Sequence, residues 1–168
     1  MRKKKGKKPK HQWSSKPLII SMWFFYAPDT KHSLILKNTR ETKMKLTKNF
    51  KLEEFACKSG EETPEEIIPI LTDLAEQLQE LREHTGMPIR INSGYRSPAH
   101  NAKIGGVKNS QHTKGTAADI VVVGQSPRET RKQIEILIKQ GKMKQGGIGA
   151  YSSFTHYDIR GYKARWKG

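Results

Sequence analysis

Apolar residues recur at helical spacing in one long segment of the chain, at positions 67, 71, 74, 78 and 81. Thr63 as the N-cap and Pro64 as the first helical residue predict where this helix begins, and Gly86 predicts where it ends. A second segment has the same N-terminal signature at Ser126 and ends near Gly141. The pattern therefore predicts two long helices.

Short apolar runs between and after these helices predict strands. The predicted strands cover residues 89–92, 117–123, 148–151 and 155–160, and a short helix is predicted around 98–104. The order helix, strand, loop, strand, helix, strand, strand is typical of an α+β fold. We expect a small, mostly antiparallel sheet with flanking helices.

The first quarter of the chain has a different pattern. A lysine-rich run at residues 2–10 precedes a short apolar stretch at 18–27, which is too short to span a bilayer as a helix. Three interpretations of residues 1–43 stay open: a disordered basic arm, an export or membrane signal, and upstream sequence that does not belong to the folded unit. Residues 44–168 are predicted to form the folded domain.

The formal net charge of +16 indicates a polyanionic partner, such as nucleic acid, an anionic membrane or an anionic cell wall. Residues 1–43 carry +10 of this charge, from 12 Lys and Arg against 2 Asp and Glu, so this arm is expected to contact an anionic surface. The rest of the chain is mildly basic and has no recognised nucleic-acid motif. No specific nucleic-acid binding is therefore predicted.

Candidate metal ligands are limited by the cysteine content. Cys57 is the single cysteine, which excludes an intrachain disulfide and a thiolate metal site, so a metal would be held by imidazole and carboxylate groups. His112 and Asp119 are seven residues apart with Gly115 between them, and a tight turn there would bring the flanking segments side by side. His156, on a late strand, is the best third candidate.

Asp119 lies in an otherwise apolar strand, where a carboxylate is costly to bury unless a partner or a metal compensates its charge. Three protein ligands would form a catalytic zinc site that leaves the fourth position for water. A hydrogen-bonded structural pair of His112 with Asp119 is the alternative that these residues alone leave open.

Three segments stand in order along the chain: SGYRSPAHN (93–101), SQHTKGTAADI (110–120) and GGIGAYSSFTHYDIR (146–160). Together they resemble the D-alanyl-D-alanine carboxypeptidase-type zinc peptidases, which share their fold with lysostaphin-type peptidases and the hedgehog domain. The resemblance covers about residues 45–166. It implies that His112, Asp119 and His156 hold zinc, and that the protein hydrolyses the stem or cross-bridge peptides of peptidoglycan. We expect a monomer.

The resemblance also implies roles for residues around the metal. Arg96 matches the arginine that follows the family's Ser-Gly-Tyr, where it binds a substrate carbonyl or carboxylate and stabilises the oxyanion. Ser110 and Tyr151 are expected to contact the substrate.

The general base is where this sequence departs from the better-known branches, which place a Glu three residues before the last zinc histidine or a His two before it. Ser153 and Phe154 occupy those positions. The nearest ionisable residue is Asp158, two residues after His156, and this H-x-D ending resembles a branch of phage and bacterial envelope proteins. Asp158 is either the general base or a group that orients His156.

Two activities and one non-catalytic alternative follow from the resemblance. The peptidase would trim D-Ala-D-Ala as a carboxypeptidase or cut the wall as an endopeptidase of the endolysin type. The alternative is a zinc-fold module that binds the cell wall without cutting it, which the missing Glu or His base favours. The protein would be in the envelope, in the periplasm or secreted if residues 1–43 are a signal, and otherwise a cytoplasmic phage-type lysin.

Overall fold

The computed structural model describes residues 44–168, and the predicted N-terminal arm at 1–43 lies outside the described residues. Four helices are present: α1 (Leu52–Phe55), α2 (Ile68–Thr85), α3 (Pro98–Lys103) and α4 (Pro127–Lys139). Five strands accompany them: β1 (Ile89–Ser93), β2 (Ala117–Val122), β3 (Gly147–Ala150), β4 (Thr155–Asp158) and β5 (Ala164–Lys167). None of the described helices is long and apolar enough to cross a membrane.

The five strands form one sheet in the order β1-β2-β4-β3-β5. Three of its four strand pairs are antiparallel, and β3 pairs with β5 in parallel. The predicted α+β fold with a mostly antiparallel sheet is therefore confirmed. The sequence pattern missed β5, because this strand is four residues long and two of its residues are basic, so it has no apolar run.

Each face of the sheet has a different role, because side chains alternate along a strand. Ala118 and Ile148 both pair with Tyr157, which is fully buried, and these residues face α2 and α4. On each strand, the residues that alternate with these face the other way and carry the polar groups. The two long helices add buried aliphatic side chains to the core: Leu71, Leu74, Leu78 and Leu81 from α2, and Ile134 and Leu137 from α4.

The predicted start of the first long helix is wrong. Pro64 has an extended conformation (φ −57°, ψ 141°), so the chain makes a 3-10 turn at Glu65–Ile67 before α2 begins at Ile68. The side chain of Thr63 is buried and does not cap the helix. The predicted end is confirmed, because Gly86 has a positive φ of 68° and its N–H donates to the carbonyl of Arg82.

The second long helix begins as its sequence predicts. Ser126 is the N-cap of α4, and its hydroxyl accepts a hydrogen bond from the N–H of Glu129. The Glu129 carboxylate accepts one in return from the N–H of Ser126 (2.8 Å), which completes a capping box. Gly141, with φ 71°, follows the end of the helix. This cap fixes the end of α4 that lies next to Thr155 on β4, whose hydroxyl donates to the carbonyl of Pro127.

Candidate metal centre

Two of the predicted ligands lie side by side because their strands are neighbours. Asp119 on β2 pairs with His156 on β4, so both side chains point from the same face of the sheet. His156 Nδ1 lies 2.9 Å from Asp119 Oδ1, and both side chains are buried. Antiparallel register alone therefore brings together a carboxylate and an imidazole that are far apart in sequence.

The third ligand comes from a tight turn. A 3-10 turn at Gln111–Lys114 carries His112, with Ser110 as its N-cap and Gly115, whose φ is 72°, as its C-cap. The ring of His112 is oriented by Gly94, because Nδ1 lies 2.7 Å from its carbonyl oxygen. A carbonyl oxygen only accepts, so Nδ1 carries the hydrogen. Nε2 is left 3.3 Å from Asp119 Oδ1.

The three side chains fit a metal ion. His112, Asp119 and His156 each offer one ligand atom, and these atoms all lie within 4.8 Å of one another. Two imidazole nitrogens and one carboxylate oxygen are a donor set that zinc accepts in catalytic sites, where a fourth position stays open. Burial of all three keeps competing water away from the ligand atoms.

Behind the cluster, Asp158 contacts the outer nitrogen of His156. Asp158 Oδ2 lies 3.1 Å from His156 Nε2, and Oδ1 accepts a hydrogen bond from the N–H of Gly147 (3.1 Å). The carboxylate is completely buried. A Cβ at Gly147 would lie 2.3 Å from Asp158 Oδ2, so only glycine leaves room for this carboxylate. Metal-binding histidines are commonly oriented by such a carboxylate on the second ring nitrogen.

Sequence reasoning missed Arg160, which completes this arrangement. Its Nε donates to Asp158 Oδ1 and its Nη2 donates to Asp158 Oδ2, both at 2.7 Å. The guanidinium also lies 5.4 Å from the centre of the Trp166 ring. The one signal in the sequence is the spacing, because Arg160 stands two residues after Asp158, as Asp158 does after His156.

The pKa values of these groups follow from burial and pairing. Burial raises the pKa of the Asp119 carboxyl, but hydrogen bonds with His112 and His156 outweigh it and hold that pKa below its usual range. Burial likewise opposes ionisation of Asp158, and hydrogen bonds with His156 and Arg160 lower its pKa overall. Burial lowers the pKa of His156, and its two carboxylate partners raise it above the usual value. Both carboxylates are therefore ionised, the form in which Asp119 can bind a cation.

Arg96 contacts the second oxygen of the Asp119 carboxylate, Oδ2. Its Nη2 donates to Asp119 Oδ2 (2.8 Å) and its Nε donates to Ser93 Oγ (2.9 Å). The ion pair is mostly buried, with 18% of the Arg96 side chain and 9% of the Asp119 side chain exposed. Asp119 therefore uses Oδ1 for the two histidines and Oδ2 for Arg96. The guanidinium is held rigidly beside the cluster, which an ordinary exposed ion pair would not achieve.

A cleft of about 550 Å³ opens onto the cluster. The predicted site residues that line it are Arg96, Ser110, His112, Asp119, Tyr151 and His156. Asp158, the remaining predicted site residue, lies behind His156 and does not line the cleft. Tyr151 stacks on Phe154 with 4.3 Å between ring centres, and its hydroxyl accepts a hydrogen bond from Trp166 Nε1 (3.4 Å). These aromatic rings form one wall of the cleft.

Comparison with known proteins agrees with this geometry. A family model described as Peptidase M15 matches residues 48–158, which is more than half of the chain and includes all three candidate ligands. No curated protein matches the chain. Arg160 and Trp166 lie beyond the end of the matched segment. The match and the cluster point to one kind of protein, and the chain belongs to the peptidase M15 family, a family of metallopeptidases.

Proposed function

We propose that this metallopeptidase uses zinc to hydrolyse peptidoglycan peptides that contain D-amino acids. The observation that carries the proposal is the buried group of His112, Asp119 and His156, which opens on a cleft beside Arg96. Membership of the family supports peptide hydrolysis, and the donor set supports zinc. The substrate comes from the resemblance of the three sequence motifs to D-alanyl-D-alanine carboxypeptidases.

Zinc held by these ligands would supply Lewis acidity, which polarises a carbonyl group and lowers the pKa of water to about 7. Arg96 would bind the carbonyl oxygen on which negative charge develops. Two of its nitrogens already donate to Asp119 and Ser93, so the guanidinium is preorganised and loses little entropy when the substrate binds. His112 and His156 are each held by a second acceptor, Gly94 O and Asp158 respectively, which keeps their ligand nitrogens aimed at the cleft.

For Asp158 we propose an orienting role instead of that of a general base. Both of its oxygens already accept hydrogen bonds, from Arg160, from the N–H of Gly147 and from His156. A base must reach the proton that it removes, directly or through one water. Because Asp158 is completely buried behind His156, its contacts support alignment of the imidazole.

The second candidate function is a module that binds cell-wall peptides without cutting them. The described part of the cleft lining has no glutamate, and its two histidines are both candidate ligands. A site without a separate base can still bind zinc and a peptide carbonyl. This observation favours the binding module, and it makes a direct assay of hydrolysis the decisive experiment.

The test is mass spectrometry of purified peptidoglycan after incubation with the zinc-loaded full chain. A carboxypeptidase would shorten stem peptides by a terminal D-alanine, whereas an endopeptidase would separate cross-linked peptides. The substitution His112→Ala should abolish both zinc content and product, because it removes one of three ligands. His100→Ala is the matched control, since His100 lies outside the cluster, and it should retain both.

Three outcomes would change the proposal. Hydrolysis by the His112→Ala variant in the absence of zinc would show that the mechanism is wrong. A wild-type protein that binds zinc and wall peptides, and releases no product from any wall substrate, would support the binding module. Release of products without D-amino acids would contradict the substrate class.

For location, we propose the cell envelope or its exterior if residues 1–43 act as an export signal, and the cytoplasm of an infected cell if they do not. A signal would be removed during export. N-terminal mass spectrometry of the protein recovered from cells distinguishes the two, because an exported form would begin after the apolar stretch at 18–27.

A further inference from the structure

A second groove of about 690 Å³ lies on the opposite face of the sheet from the cluster, between α4 and the edge strand β5. Its floor is apolar and includes Ile136, Ile148 and Ala150. Ile136, a residue of α4, is 42% exposed, although isoleucine is among the residues most often buried. The groove exists because α4 does not cover the sheet as far as its edge.

The rim of this groove has four cations that form no ion pair with a described residue. Arg128, Arg131 and Lys132 come from α4 and Lys167 comes from β5, and none of them makes a hydrogen bond or ion pair within residues 44–168 through its side chain. Arg131 Nη1 is even buried without an acceptor. Uncompensated cations around a concave surface raise the local concentration of anions.

The only carboxylate among the residues that line the groove is already neutralised. Glu135 accepts hydrogen bonds from Nε and Nη2 of Arg165, and this pairing, against a modest effect of burial, lowers the pKa of Glu135. The Arg165 guanidinium also donates to the carbonyl of Gly146. This pair braces β5 against α4, and no other carboxylate among the lining residues faces the four remaining cations.

The groove and the metal cleft share one lining residue. Trp166 lines both cavities, and Ala150 in the groove is followed in sequence by Tyr151 in the cleft. Among residues 44–168, β5 pairs with β3 alone, so no described strand covers its outer edge. A peptide that leaves the cleft past Trp166 would cross this edge and enter the basic groove.

We propose that the groove binds a carboxylate-bearing stretch of the same peptide whose bond is cut in the cleft. This inference rests on the proposed peptidase function and adds a preference for acidic substrates. Arginine side chains match carboxylates geometrically, and the apolar floor would contact methyl and methylene groups between the charges. A nucleic acid fits less well, because single strands bind to successive stacked aromatic rings and this groove has only Trp166.

The first measurement compares cleavage of matched peptides that contain D-alanine at the scissile bond. One peptide of each pair carries three glutamates on one side of that bond, and the other carries glutamines. With the wild-type full chain we expect the acidic peptide to have a kcat/KM about five- to tenfold higher, through a lower KM, when the glutamates are on the side that reaches the groove. The preference should shrink at high salt.

The second measurement uses the double substitution Arg128→Gln and Lys132→Gln, which removes two exposed cations and leaves the partly buried Arg131 in place. The ratio of kcat/KM between acidic and neutral peptides should fall towards one. The matched control is Lys48→Gln with Lys58→Gln, two exposed lysines that line neither cavity. The control variant has the same net charge as the double variant and should keep the wild-type ratio.

Direct binding separates this inference from the proposed function. Calorimetry of the non-hydrolysing His112→Ala full chain with the same peptides should show tighter binding of the acidic peptide, which the groove substitutions abolish. If no peptide is cleaved by the wild type and this binding difference is still seen, the proposed function fails and the groove assignment stands. Equal binding of acidic and neutral peptides, or tighter binding of a phosphodiester polymer than of the acidic peptide, would overturn the groove assignment.

Discussion

The two ring nitrogens of His156 contact two different carboxylates, and these contacts determine which nitrogen faces the candidate metal site. Nδ1 faces Asp119, the candidate ligand, while Nε2 faces Asp158. Asp158 stays ionised although it is buried, because Arg160 and the N–H of Gly147 hold its oxygens. A metal ligand is therefore supported by a chain of contacts that ends in an arginine at the cleft wall.

The substitution Asp158→Asn tests whether this carboxylate orients His156. An amide keeps the shape but loses the charge that Arg160 and His156 contact, so we expect zinc affinity to fall about 10- to 100-fold. At saturating zinc, kcat should recover to within about tenfold of the wild-type value. Zinc titrations monitored by both metal content and peptide hydrolysis measure the two effects separately.

The opposite result would make Asp158 the general base. In that case kcat would fall about 10²- to 10⁴-fold at every zinc concentration, while zinc affinity stayed close to that of the wild type. Asp73→Asn is the matched control, because Asp73 pairs with Lys144 on the surface and has no contact with the cluster. It should change neither quantity.

At the residue scale, the sequence predicts the identity of the candidate ligands and little of their geometry. An aspartate in an apolar strand and a histidine before a glycine turn are visible in the pattern, and both are in the cluster. The choice of nitrogen on each histidine is not visible, because it depends on Gly94 and Asp158, which reach the rings only after folding. Arg160 was missed for the same reason.

Two helices with the same N-terminal sequence signature begin differently, which shows what a cap needs. At Ser126 the hydroxyl and the Glu129 side chain bond reciprocally to backbone N–H groups, and both are exposed. Thr63 is buried, and Pro64 directs the chain into a 3-10 turn. Local sequence therefore predicts the cap correctly where the capping side chain stays exposed, as at Ser126, and not where it is buried, as at Thr63.

The substitution Ser126→Ala should lower the free energy of unfolding by about 1 kcal/mol, because the N–H of Glu129 loses its acceptor. Denaturant or thermal unfolding of the zinc-loaded protein measures the loss, and the melting temperature should fall by about 4 °C. Ser153 is exposed and caps no helix, so Ser153→Ala should have a free energy of unfolding within about 0.5 kcal/mol of the wild-type value. Equal effects of the two substitutions would contradict the capping box.

The edge strand β5 contributes more than the sequence pattern suggests. It carries Trp166, which contacts the ring of His156 at 5.1 Å between centres, and Arg165, which pairs with Glu135 on α4. Gly149 on β3 makes this approach possible, since a Cβ there would lie 2.8 Å from the Trp166 ring. The short strand links the cleft on one face of the sheet to the groove on the other.

At the scale of the whole molecule, strand alternation separates stability from chemistry. One face of the sheet buries the core under α2 and α4, and the other presents Asp119, His156, Gly149 and Trp166 in register. The succession of helices and strands along the sequence is enough to predict the α+β class. It does not predict the strand order β1-β2-β4-β3-β5, because that order depends on pairings between distant segments.

The predicted domain boundary at residue 44 can be tested by deletion. Among the described residues, the hydrophobic core is built from residues 46–159. Within the described region, the backbone hydrogen bond nearest the N-terminus runs from the N–H of Leu52 to the carbonyl of Met44 (2.9 Å). We expect a variant that begins at Met44 to keep its zinc content. Its free energy of unfolding should lie within about 0.5 kcal/mol of that of the full chain.

The same deletion removes +10 of the formal charge of +16, so it should weaken contact with anionic surfaces. At low salt we expect co-sedimentation with purified cell walls to fall at least about tenfold, since each lysine near an anionic surface contributes about 1 kcal/mol. The difference should narrow as salt screens the charges. Loss of zinc or of cooperative unfolding would place part of residues 1–43 within the folded unit. Undiminished co-sedimentation would assign wall contact to the folded region, where the basic groove beside β5 offers the charges for it.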